Sequence, residues 1–299
     1  MKLLYLQEMT WELDYLKNEI LCDVENLEIE FFKKDTFKNL LERTDIVENN
    51  ILALNAVCHI NDIIEVVKYI KPSIIFYLSD EKGDNSKMID LEKYTKILFR
   101  QYNFNHYNYS TNNYQIPLGY SNSFLKGRTS LATKRRKTSE RIFNASFIGA
   151  KKSDRVIMSD IFKEKMKKTN INFVQNSWDI TKLPFSPQDC FDKYNKSIFV
   201  ICGRGNSSLD CFRVYEAIVA GAIPIVVGTN QEINITFKYN NKKPPIIYAN
   251  NWEKAVIKCN SLLDKPDELQ EMQSKLLEWW NNEMNIYKEL IRNVLIKSD

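Results

Sequence analysis

Arg213 and Glu216 are the only charged side chains in the run CFRVYEAIVA at 211–220. A segment that apolar forms a buried helix, and residues three apart share one face of it. Burying a guanidinium and a carboxylate there is costly unless each has a partner. Two kinds of partner fit. A guanidinium binds a phosphate through paired N–H donors, and a carboxylate accepts both hydroxyls of a diol such as a ribose. Immediately upstream, GRGNSS at 203–208 makes a polar loop bearing Gly203 and Gly205, and it opens into the helix. A helix entered this way presents free backbone N–H groups to an anion. Arg204 adds positive charge, and Ser208 or Asp210 can cap the first turn. The second reading is plainer: Arg213 and Glu216 pair with each other and the glycines shape a turn. These residues alone leave both readings open.

Other groups could work with this helix. Gly149 to Arg155, GAKKSDR, follows an apolar run and leads into a helix capped by Ser153. There a helix N-terminus and Arg155 could meet a diphosphate, or simply form a basic, capped surface turn. Asp80 and Glu81 follow the apolar run 73–78, SIIFYL, at a strand end where α/β folds place ligands. A carboxylate there can take a proton from an attacking hydroxyl, or can serve as turn chemistry. Arg100 ends the next strand and could hold a substrate carboxylate or phosphate. His59 is a rival base that reads better as a capping or core histidine. His106 lies in an aromatic, asparagine-rich stretch, 102–109, able to stack on sugar rings.

These groups need elements to hold them. Strands are expected over 50–58, 73–78 and 95–100, with 3–6 a further strand and 114–119 extended. A helix capped by Asn61 is expected over 61–69, and the rest of 1–50 leans helical. A polar, basic stretch at 121–140 separates this half from a second alternation. Its strands are 142–148, 171–174, 197–202, 223–227 and 245–248. Its helices are 153–168, 187–194, 211–220 and 251–263, with a last one from about 266. Strands alternating with helices predict parallel sheets covered by helices. A length of 299 residues favours two domains, here 1–125 and 126–299.

The positions Ser197, Phe199, Gly205, Asp210, Arg213, Glu216, Ala217, Gly221, Ile223, Pro224, Ile225 and Val226 together resemble the C-terminal signature of exostosin-like glycosyltransferases, the family 47 group and its relatives. They are also loosely similar to the donor motif of the α1,3-fucosyltransferases. Phe147, Gly149 and Arg155 match a second stretch often seen in exostosin-like relatives. The resemblance implies an α/β, GT-B fold with two Rossmann-like domains facing across a cleft, the first on the acceptor side and the second holding the donor nucleotide. In such a fold the final helix usually crosses back to the first domain. It implies a hexosyl- or pentosyltransferase that moves a sugar, with inversion, from a nucleoside diphosphate to a glycan or other hydroxyl, a UDP-sugar being the expected donor. Gly149, Arg155, Arg204, Gly205, Asp210, Arg213 and Glu216 would bind the nucleotide, Arg100 the substrate, and Asp80 or Glu81 would be the base.

Composition narrows the field. A net charge of +4 spread along the chain is no nucleic-acid signature. The cluster Lys134 to Lys137 reads as a solvated loop, with an acidic ligand or membrane lipid as the alternative. Six cysteines without paired spacing read as reduced thiols. No D-x-D triplet occurs, which disfavours metal-dependent transfer of the GT-A type, so no metal is expected. No G-x-G-x-x-G opens the chain, which speaks against a dinucleotide enzyme. No apolar run of about twenty residues is present, and the N-terminus lacks a signal-peptide pattern. The expectation is a cytoplasmic protein or a trimmed part of an anchored enzyme, with peripheral membrane contact left open. The competing reading is a non-catalytic nucleotide- or glycan-binding module derived from a transferase.

Overall fold

The structure is a computed structural model that describes all residues except 10, 47–49, 85, 106–109, 153, 176–183, 241 and 297–299. His106 and Ser153 therefore lie outside the described residues. The chain divides into two compact units: Met1–Leu118 with Met284–Asp299, and Gly119–Glu283.

The first unit is a six-stranded parallel sheet. Its strands are β1 (Lys2–Leu6), β2 (Glu28–Phe32), β3 (Ile51–Asn55), β4 (Ile74–Leu78), β5 (Ile97–Arg100) and β6 (Asn113–Gln115), in the order β2-β1-β3-β4-β5-β6. A short helix α1 (Leu13–Tyr15) runs on into a wider turn at Leu16–Ile20. β4 is buried along its whole length, which is why it reads as an unbroken apolar run rather than an alternation. Helix α2 (Ile60–Ile70) buries Ile63, Val66, Val67 and Ile70, one helical stripe. Its N-cap is His59, whose Nδ1 accepts the Asn61 N–H, so the cap lies two residues before the asparagine expected there.

The largest departure from expectation is in residues 1–50. Beyond α1 the segment holds β2 and a 3₁₀ stretch at Lys34–Glu42 in place of extended helix. β2 is an edge strand, EIEFF, pairing in register with β1 from Lys2↔Glu28 to Leu6↔Phe32. Tertiary pairing set its conformation, because an edge strand that exposes Glu28 and Phe31 carries little periodic signal.

The second unit is a five-stranded parallel sheet. Its strands are β7 (Phe143–Ala150), β8 (Thr169–Val174), β9 (Ser197–Ile201), β10 (Ile223–Val227) and β11 (Ile247–Ala249), in the order β11-β10-β9-β7-β8. Between them run α3 (Arg155–Lys165), α4 (Pro187–Asn195), α5 (Phe212–Val219) and α6 (Asn230–Thr236), then α7 (Trp252–Leu263) and α8 (Pro266–Ile296). α4 starts at a Ser186–Asp189 capping box with proline in its first turn. α5 ends at Gly221, whose φ of +72° suits glycine; a Cβ there would come within 2.8 Å of the Arg141 guanidinium. Arg141 and Arg135 cover this helix end. Arg141 donates to the carbonyls of Tyr194 (3.0 Å), Ser197 (2.7 Å), Arg136 (2.8 Å) and Ala220 (3.2 Å), and Arg135 to that of Val219 (2.7 Å). Cations at a helix C-terminus offset its partial negative charge. Burial, with Arg135 and Arg136 nearby, lowers the Arg141 pKa to about 9, so it remains a cation at neutral pH. Of the basic cluster, Lys134, Arg136 and Lys137 are exposed as expected of a solvated loop, but Arg135 is turned inward.

Candidate functional site

In the second unit the chain winds outward in both directions from β7 and β9, which are neighbours. Open α/β sheets bind ligands at such a switch point, beyond the carboxyl ends of the strands. Gly149 and Ala150 come from β7, and Gly203 follows β9. Arg155 is the first residue of α3 and Arg213 the second of α5. Both guanidiniums lie over the Phe147 ring, at 5.7 Å for Arg155 and 5.3 Å for Arg213. Both also flank the space a side chain on Gly149 would fill: its Cβ would stand 3.3 Å from Nη1 of Arg213 and 3.4 Å from Nη1 of Arg155. Arg155 is buried and donates to the Ala150 carbonyl at 3.0 Å and to that of Arg204. Arg213 donates to the Gly203 carbonyl at 2.9 Å, while its buried Nε has no partner among the described residues. Among the described residues no carboxylate forms an ion pair with Arg213. The site thus holds two cations on carbonyls and an aromatic face, an arrangement suited to a dianion.

Glu216, one turn beyond Arg213, does not pair with it. Its Oε1 accepts from the Ser121 hydroxyl at 2.7 Å and from the Ser121 N–H at 3.3 Å. Burial raises its pKa, and the Ser121 bonds counter this in part. The intrahelical pair that competed with the ligand reading is therefore absent. Burial pushes the Cys202 and Cys211 thiols beside Arg213 up, so neither is a thiolate at neutral pH.

The remaining motif residues take other places. Gly205 donates its N–H to the Ser208 carbonyl at 2.8 Å and so closes the loop. Arg204 turns its guanidinium to Glu232, at 2.7 Å. Asp210 is not the helix cap. Cys211 occupies that position without a side-chain bond, and the Asp210 carboxylate accepts from the hydroxyls of Tyr215 (2.5 Å) and Tyr239 (3.1 Å). Tyr215 and Tyr239 pack on Trp280 and Trp279, so Asp210 anchors α5 to the aromatic interior.

In the first unit, β4 is followed by Ser79, a non-glycine residue with φ of +58°. Its N–H donates to Gln101 Oε1 at 2.8 Å and its hydroxyl to Glu12 Oε1. Asp80 follows, buried, and Glu81 is half-buried. Glu12 is 1% exposed, and burial raises its pKa. Arg100, also 1% exposed, donates from Nε to Asn113 on the adjacent strand at 3.2 Å.

Residues 126–298 match the family described as the RXYLT1 C-terminal domain, which is more than half of the chain. The chain belongs to that family. Over both units the fold is similar to that of Anabaena Alr3699/HepE solved with UDP and glucose: TM-score 0.56 at 10% identity, covering 99% of this chain and 100% of that one. The same protein with UDP gives 0.57, and with UDP-glucose 0.54, at the same identity and coverage. At that identity the likeness shows the fold alone, α/β with two parallel sheets of the GT-B glycosyltransferase type. No curated protein matches the sequence significantly. The exostosin-like group is not singled out by these comparisons.

All the motif residues from Phe147 to Glu216 lie within the matched RXYLT1-type region. Sequence reasoning missed two partners. Ser121 holds Glu216 across 95 residues of chain, and nothing near Ser121 announces it. Glu12 carried only a faint signal, one of two acids among the apolar residues of TWELDYL.

Proposed function

We propose that the protein is a glycosyltransferase that moves a sugar from a nucleoside diphosphate, UDP by preference, to a hydroxyl acceptor. The observation that carries this reading is the convergence of Arg155 and Arg213 on Gly149 at the switch point of the second sheet. The fold likeness to the Anabaena structures, solved with UDP and with UDP-glucose, and the transferase motif in residues 197–226 support it. Glu216 would take the ribose hydroxyls through the carboxylate oxygen that Ser121 leaves unused. As the sugar–phosphate bond breaks, negative charge grows on the diphosphate, and two preorganised guanidiniums stabilise it there. The acceptor hydroxyl gives its proton to Asp80 or Glu81 as its oxygen attacks the anomeric carbon, with inversion. The two arginines do the work a divalent metal does elsewhere, so chelation is expected to leave donor binding unchanged.

The test is direct. Calorimetry with UDP and GDP should show binding, stronger for UDP, with and without EDTA. Incubation with UDP-sugars should release UDP, at least by slow hydrolysis. Binding without any turnover would favour the alternative of a non-catalytic nucleotide-binding module, and no binding to either nucleotide would overturn both readings.

A further inference from the structure

We propose that the amino-terminal edge of the second unit's sheet is a docking face for an anionic phospholipid surface. Three loops meet there, joined by backbone bonds. The N–H groups of Ile142 and Phe143 donate to the Lys196 carbonyl (2.9 and 3.0 Å), and that of Asn144 donates to the Lys168 carbonyl (3.0 Å). The Arg136 N–H donates to the Asn195 side chain at 2.9 Å. The loops bring together Lys134, Arg136, Lys137, Lys167, Lys168 and Lys196, all exposed. None of the six is in an ion pair among the described residues. Two carboxylates in these segments are engaged: Glu140 accepts the Lys137 N–H at 3.2 Å, and Asp192 accepts from Gln188 at 3.2 Å. Only Arg135 of the basic run is spent inside the fold.

The chemistry of the face favours lipid over nucleic acid. Ile142 is 55% exposed within it, and Leu131, earlier in the same connecting segment, is 67% exposed. Cations around exposed aliphatic side chains suit headgroups over an acyl boundary. Residues 126–142 contain no aromatic side chain to stack on a base. The face also lies at the opposite strand ends from Gly149 and Gly203, so a docked unit keeps its ligand crevice open. The inference does not depend on the transferase reading.

Co-sedimentation of the full chain with vesicles tests it. Vesicles rich in phosphatidylserine should bind the protein at low salt, and phosphatidylcholine vesicles should not. Replacing Lys134→Gln, Arg136→Gln and Lys137→Gln together should lower the partition coefficient roughly a hundredfold, at about a fivefold loss per cation. A second triple, Lys167→Gln, Lys168→Gln and Lys196→Gln, should do the same and guards against misfolding of the first. A control with Lys17→Gln, Lys33→Gln and Lys71→Gln changes net charge equally and should keep binding. The proposal is overturned if wild type ignores phosphatidylserine, if both triples bind like wild type, or if the control loses as much. Retention on heparin without vesicle binding also overturns it and assigns the face to a soluble polyanion.

Discussion

The two units share a winding scheme and differ in the charge at their strand ends. Each sheet begins with a strand flanked by its second and third strands, so each has a switch point. In the second unit that point gathers Arg155 and Arg213 around Gly149. In the first unit the strand ends and the loops after them carry Glu12, Asp80 and Glu81, while Arg100 at the end of β5 is tied to Asn113 on the neighbouring strand. Topology therefore says where a ligand goes, and the side chains at the strand ends say which ligand. A cationic end suits phosphate, and an acidic end suits a hydroxyl that must lose a proton.

Substitutions that act on one end only would sharpen or break this division. The largest expected effect is on turnover. Whichever of Asp80→Asn and Glu81→Gln removes the base should cut kcat by about a hundred- to ten-thousandfold while UDP affinity stays at wild type. If neither substitution changes kcat, the acidic end is not the base. Next comes Arg213→Ala, expected to weaken UDP binding about a hundredfold, as loss of charge-assisted hydrogen bonds does. Arg213→Lys should recover little of it, because an ammonium cannot reproduce the planar fork over Phe147. Calorimetry reads both, and unchanged affinity in Arg213→Ala would remove the cationic end from the donor site. Smaller again is Gly149→Ala. The new methyl would meet the Phe147 ring at 2.8 Å and stand between the two guanidiniums. An affinity loss of about tenfold with a stability cost of about 1–2 kcal/mol is expected. A variant that binds UDP as wild type does would show that the space at Gly149 is not where the phosphates sit.

The second unit was more legible in the sequence than the first, for a physical reason. β9, α5 and β10 are buried, and their apolar runs are closed by Gly203 and Gly221, so periodicity and punctuation agree. Arg213 and Glu216 stood out there because charge is costly in such a helix. β2 did not stand out, since an edge strand that exposes Glu28 and Phe31 owes its conformation to pairing with β1. Asp210 reads locally as a helix cap, but the hydroxyls of Tyr215 and Tyr239 compete successfully for its carboxylate. The Arg204–Glu232 pair and the Ser121–Glu216 bonds link residues far apart in the chain, which no local pattern encodes.

The smallest expected effect is also the one that separates a ligand-binding Glu216 from a structural one. Burial raises its pKa, so the folded state keeps the proton to higher pH than the unfolded chain does. Between the unfolded value and the raised one, unfolding releases a proton, and stability falls as pH rises through that window. Glu216→Gln removes the ionisation and leaves an oxygen for Ser121. Melting temperatures of wild type and variant should therefore coincide in acid and diverge in the variant's favour as pH rises to neutrality. UDP affinity should fall only several-fold to about tenfold, because an amide oxygen accepts more weakly from the ribose than a carboxylate does. A variant that is more stable at neutral pH and binds less well marks a carboxylate retained for its ligand at the expense of stability. A variant less stable at every pH would mark Glu216 as a strut for the segment around Ser121, and the cationic end alone would then hold the donor.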